Sequence, residues 1–305
     1  MTLKTMTRAA VCAIALASLP GAAFADNHKP VTHVSVAKGR ETISDGERAL
    51  AMWEVQNAMS KHEFYHAAGM NLEEVDALWV SRTGPYAATA TFSSPIWVMY
   101  GLETVRNAYG VENQKNREKA LAAINSADPS VEVKPENYGA GHEWVMHTST
   151  TPVIEIAGDG KTAKGIWYSP GLGIMANVTD GKIGAKGSMF WEKYAGDFIK
   201  EDGVWKIWHL QMAYDFVPGL PQEMMDSVLA KLGEMAYRPD ESGDAMRQAG
   251  ERPDFAMPPG FRQPLYSYPD YSPQRAGILY PKIPEPYYTF GETFTYCNCE
   301  QDLPF

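Results

Sequence analysis

Apolar residues recur at a helical period from Ser44 to Gly69, at Ala51, Val55, Ala58 and Met59, and the stripe continues into His62, Tyr65 and His66. Ser44 can cap the start of this helix, with Glu47 three residues later as in a capping box. Gly69 supplies a stop. Asn71 then predicts the cap of a second helix over 72–79, with Glu73 and Glu74 in its favourable first turn. Residues 88–92 read as a strand and 97–100 as a second short segment. A third helix runs from Leu102 to about Tyr109, with a charged continuation towards Ile124. Residues 142–169 predict two strands joined by a tight turn. Val153, Ile154 and Ile156 are apolar and β-branched, Gly158-Asp159-Gly160 suits the turn, and Ala163, Ile166, Trp167 and Tyr168 carry the return. Two further strands, 183–200 and 205–216, meet at Asp202-Gly203, which makes the second half a mostly antiparallel sheet.

Period-two alternation sends His142, Trp144 and Met146 to one face and Glu143, Val145 and His147 to the other. A curved sheet can therefore turn one of the two histidines inward. A histidine about seven residues before an IEI-x-GDG-x-TA-x-G hairpin resembles the SnoaL-like branch of the nuclear transport factor 2-like superfamily, over about Arg48 to Phe216. The resemblance implies an α+β fold: a cone in which a curved, mostly antiparallel sheet wraps around N-terminal helices and leaves one pocket. It says less about the reaction, because that superfamily hosts dehydratases, isomerases, cyclases, lyases and non-catalytic binders. In such proteins the histidine before the hairpin strand commonly points into the pocket, and His147 matches that position.

The ends of the chain read differently from the middle. Lys4 and Arg8 precede an apolar run from Ala9 to Leu19, too short to span a bilayer, and Ala23-Phe24-Ala25 offers a cleavage site. Residues 1–25 are thus expected to be a signal peptide, and the mature chain to be periplasmic or secreted. Residues 26–42 read as a flexible lead-in and 43–217 as the cone domain. Of the 21 prolines, 13 lie at or after 218, as do half of the 16 tyrosines. This composition suits neither sheet interior nor ordinary disorder. It predicts an extended arm over 218–305, with one helix over 222–237, packed on the body or on a neighbouring subunit of a homo-oligomer. Cys297 and Cys299 can bridge each other but form no framework.

Acidic residues outnumber basic ones by 37 to 27, which excludes a nucleic-acid footprint and a polybasic membrane patch. No phosphate-binding glycine loop is present, because Gly171-Leu172-Gly173 lacks a third glycine and a following helix. No GxSxG nucleophile motif occurs.

Histidine is the usual acid or base near neutral pH. His62 and His66, at i, i+4 on one helix face, can line one wall of a pocket with Tyr65, and His147 the opposite wall. His209 alternates with Trp208 on the last strand, so the two cannot both face inward. Tyr100 could donate to a substrate oxygen, Arg82 could clamp a carboxylate or phenolate, and Asp215 could orient a histidine. Trp97, Trp167 and Trp208 are candidates for stacking on a flat ligand. His62 to His66 also matches HExxH formally, and with His147 or Glu143 could hold zinc, but no third ligand follows nearby. The resembled branch is mostly metal-free, so the expectation is a site without metal or cofactor. The resemblance to that superfamily, some of whose enzymes act on lignin-type compounds without a cofactor, implies a lyase or dehydratase acting on a small hydroxylated aromatic compound through histidine and tyrosine. A non-catalytic pocket for an aromatic or steroid-like ligand is the alternative.

Overall fold

The structure is a computed structural model that describes residues 31–140, 143–216, 257–266 and 279–300. The leader, His142 and the helix expected over 222–237 lie outside the described residues. The stretch 26–42, expected as a flexible lead-in, includes a short helix α1 (His33–Ala37), opened by a capping box from Thr32.

The long helix α2 (Asp45–Ala67) starts at the predicted capping box: the Ser44 side chain accepts from the Glu47 amide, and Glu47 reaches back to the Ser44 amide. It ends before Gly69, whose positive φ closes the turn. Helix α3 (Asn71–Leu78) follows, then short strands β1 (Thr91–Ser93) and β2 (Val98–Tyr100). Helix α4 (Leu102–Val105) runs into a π-helical stretch (Arg106–Glu112) and then α5 (Asn113–Ala127). Asn71 is inside α3 rather than capping it, because its side-chain amide turns to His66.

The remaining strands are β3 (Glu143–His147), β4 (Thr150–Ile156), β5 (Thr162–Thr179), β6 (Lys182–Glu201), β7 (Val204–Phe216) and β8 (Phe261–Arg262). The sheet order is β3-β5-β6-β7-β1-β2-β8, with β4 also paired to β5. All of these pairings are antiparallel except β1 with β7. Strands β3 and β4 thus run consecutively along one edge of β5, interrupted at Thr148 and Ser149. Strand β5 runs eleven residues beyond the stretch expected from its apolar residues, through Pro170, Gly171 and Gly173. Together these make an α+β fold in which helices fill one face of a curved, mixed, unclosed sheet.

Register sorts the sheet into two faces. Trp167 pairs Tyr194, Ser169 pairs Glu192, and Gly171 pairs both His147 and Phe190. These side chains face α2, where Trp167 Nε1 donates to Gln56 at 2.7 Å. The core on this side includes Val55, Met59, Trp79, Phe92, Trp167, Tyr194, Phe198 and Leu210. The opposite face carries Lys164, Asp197 and His209, and Tyr287, Phe290, Phe294 and Tyr296 pack over it. That C-terminal stretch is tied down at Asp197, whose Oδ2 accepts from Thr295 Oγ1 (2.9 Å) and the Tyr296 amide (2.7 Å). Cys297 and Cys299 are bridged.

Candidate functional site

Three histidines meet between α2 and the sheet. The ring centroids of His62 and His66 are 5.7 Å apart, those of His66 and His147 4.9 Å, and those of His62 and His147 5.9 Å. His62 and His66 meet because i, i+4 residues share a helix face. His147 reaches them because Gly171, opposite it, has no side chain: a Cβ there would stand 2.7 Å from the His147 Cβ. The Tyr194 ring stacks on His147 at 5.5 Å and meets the edge of His62 at 5.3 Å.

Each histidine is held through Nδ1. His147 Nδ1 is 2.5 Å from Glu63 Oε2 and 3.0 Å from Ser169 Oγ, and Ser149 Oγ donates to the other Glu63 oxygen. His62 Nδ1 is 2.8 Å from Glu74 Oε1. The hydroxyl of Tyr109 donates to Glu74 Oε2 at 2.7 Å and lies 2.8 Å from His66 Nδ1. Asn71 Nδ2 lies 3.0 Å from the same nitrogen. Since Tyr109 spends its one proton on Glu74, His66 Nδ1 accepts from Asn71, and the His66 proton sits on Nε2. The π-helical turn brings Tyr109 to this position.

The electrostatics separate the three rings. Burial opposes charge on His62, but the Glu74 carboxylate beside it, with Glu63 and Glu192, raises its pKa to about 9. His66 is pushed well below the ordinary value by burial and by the neighbouring His147, His62 and Arg117, so it stays neutral. Burial would raise Glu63, yet its bond to His147 and the nearby His62 outweigh it and hold the carboxyl below its usual range. Burial and Glu74 push the Tyr109 phenol well up. Burial and Glu192 do the same to Tyr194. The cluster thus sets a carboxylate-paired histidine beside the imidazolium of His62 and the neutral imidazole of His66. Two nitrogens, His62 Nε2 and His147 Nε2, are buried with no hydrogen-bond partner.

The other candidates lie elsewhere. Tyr65 is half-buried against the core, and its hydroxyl makes no hydrogen bond to the histidines among the described residues. His209 is on the opposite face, bound to Asp197 at 2.7 Å and to the Thr89 carbonyl at 3.1 Å. The alternation of β7 turns it away from α2. Arg82 forms an exposed ion pair with Glu103. Tyr100 lies under the guanidinium of Arg262, 3.2 Å from the ring centroid. Trp97 packs on Phe92 and Phe261, Trp208 donates to Thr89 Oγ1, and Trp167 is core. Asp215 pairs with Lys193 at 2.6 Å. An apolar groove of about 230 Å³, lined by Met146, Thr148, Pro170, Leu172, Met189 and Trp191, touches His147. His147 and Phe190, whose rings meet at 6.1 Å, line both this groove and the histidine cluster.

Glu63, Glu74, Tyr109, Ser169 and Tyr194 were not among the site residues read from sequence. Only Glu63 carried a local signal, as the neighbour of His62. The ligand atoms of His62, Glu63 and His147 all lie within 4.8 Å of one another, so these three, rather than the two histidines of the HExxH pattern with a distant third, form the compact set able to hold an ion.

Residues 47–211 match the SnoaL-like domain, more than half of the chain. No curated protein matches. Among solved structures, the chain is similar to a hexachlorocyclohexane dehydrochlorinase LinA-type3 from Novosphingobium barchaimii LL02, at 15% identity over 58% of this chain and 95% of that one, with a TM-score of 0.37. A nuclear transport factor 2-like superfamily protein from Salmonella enterica aligns at 11% identity over 57% and 97%, TM-score 0.37. A protein of unknown function from Mycobacterium tuberculosis, Rv3472(D26N), aligns at 14% identity over 57% and 76%, TM-score 0.33.

Proposed function

The chain belongs to the SnoaL-like domain family, and from that premise we propose that it is an acid–base enzyme of the lyase or dehydratase type, acting on a small hydroxylated aromatic compound without a cofactor. The observation that carries this reading is the buried Glu63–His147 pair, 2.5 Å apart, beside a histidine whose proton is held to about pH 9.

Glu63, in ion-pair contact with His147 Nδ1, favours a proton on that nitrogen and leaves the Nε2 lone pair as the base. That nitrogen takes a proton from the carbon next to the one bearing the hydroxyl. The released electron pair forms the double bond, and the hydroxyl leaves as water with a proton from His62. A ring separation of 5.9 Å suits an acid and a base acting on adjacent carbons. The Nε2 proton of His66 is available to a substrate oxygen. The rings of Tyr109, Tyr194 and Phe190 around the histidines favour an aromatic substrate. His66 is the half-buried member of the three, and so the side from which substrate would enter.

The test is incubation of the mature chain, from Asp26, with phenolic and diaryl alcohols in deuterated buffer, with and without a chelator. Chelator-insensitive loss of water with deuterium exchange at the adjacent carbon is expected. Quenching of tryptophan fluorescence without any turnover would replace the enzyme by a ligand-binding protein. Export belongs to the same proposal, and N-terminal sequencing of protein recovered outside the cytoplasm should begin at Asp26.

A further inference from the structure

We propose that His62, Glu63 and His147 form a binding site for a divalent transition-metal ion of the zinc type. Two histidines and a carboxylate are a donor set that such ions favour, and the set leaves a position open. Three observations support it. The three ligand atoms lie within 4.8 Å of one another. His62 Nε2 and His147 Nε2 are buried without hydrogen-bond partners, and both residues are more than nine-tenths buried. His62 already carries the partner that orients a metal-binding imidazole: its Nδ1 is fixed by Glu74, itself fixed by Tyr109, so the free nitrogen is Nε2.

Tetrahedral coordination needs ligand atoms about 3.4 Å apart, so the three side chains must draw together by roughly 1 Å. Helix α2 carries two of them on adjacent residues, and β3 carries the third at its end, next to the interruption at Thr148 and Ser149. The inference is independent of the proposed elimination. An ion held by Glu63 and His147 removes both from proton transfer, so the loaded protein is expected to lose any such activity.

The test is titration of the untagged chain, freed of metal by a chelator, with Co²⁺ followed by visible absorption and with Zn²⁺ by calorimetry. One ion per chain is expected, with the absorption bands of four- or five-coordinate Co²⁺. His62→Gln and Glu63→Gln should each weaken binding by about 100-fold or more, and Glu74→Gln, one bond further out, by about tenfold. Phe64→Ala, an exposed neighbour on the same helix, should bind as the parent does. Should His62→Gln fail to fold, the near-isosteric Glu63→Gln decides. Absence of saturable binding, or binding unchanged in both variants, overturns the proposal.

Discussion

At the scale of single residues, the carboxylates behind His62 and His147 set what those two rings can do. His62 sits against Glu74 and keeps its proton to about pH 9, whereas the unfolded residue loses it near 6.5. A folded-state pKa raised in this way stabilises the fold fully below pH 6.5 and loses that contribution as pH rises towards 9. The full shift corresponds to on the order of 3 kcal/mol. Denaturation followed between pH 6.5 and 9 should therefore show stability falling, and His62→Gln should flatten that slope. Glu63 has the opposite sign: its carboxyl is held below the usual range, so its contribution is present above the unfolded value and fades as acid titrates the folded carboxylate. Glu63→Gln should keep the shape of the site and leave His147 without its carboxylate, with turnover reduced by about 10²–10⁴-fold.

At the scale of elements, the site depends on where backbones come close. Gly171→Ala would place a methyl group against His147 and the Phe190 ring. The variant should fold with lower stability and lose activity out of proportion to that loss, which comparison of melting temperature with turnover would show. Ser44→Ala removes only the cap of α2 and should cost about 1 kcal/mol while leaving ligand binding unchanged. Helix α2 was legible because its cap, stripe and glycine stop are all local signals. The extension of β5 was not, because Pro170, Gly171 and Gly173 read as breakers, and here the long partner β6 supplies the ladder that their own propensity does not. The π-helical turn left no local mark either, and Tyr109 read as a helix-face residue rather than as a partner of the histidines. The histidines were found by residue type and spacing. Glu74, Ser169 and Tyr194 are joined to them only through tertiary packing, which no spacing encodes.

At the scale of the whole molecule, one sheet serves two layers. One face meets α2 and holds the histidine cluster. The other buries Lys164 and Asp197 at 2.5 Å, with His209 on the same carboxylate, beneath the C-terminal stretch. Burial lowers the Lys164 pKa, and Asp197 is what keeps the charge there tolerable. Asp197→Asn would leave a buried cation without its counter-charge and should destabilise by about 3–5 kcal/mol. Removing residues 287–305 should uncover the same pair and lower the melting temperature. The Tyr- and Pro-rich composition gave no place for residues 287–296, because the buried charges that anchor them come from three separate strands. His209 had looked like a catalytic candidate for the same reason: a histidine within an apolar strand carries no mark of which layer it faces.

The central claim is that His147, poised by Glu63, is the base. It is tested most directly by measuring turnover and ligand binding side by side on the parent chain and on His147→Gln, using the phenolic alcohol that the parent converts fastest. Loss of turnover by about 10³-fold or more with fluorescence quenching preserved is the predicted result. Turnover equal to the parent's in a folded His147→Gln variant would contradict the account.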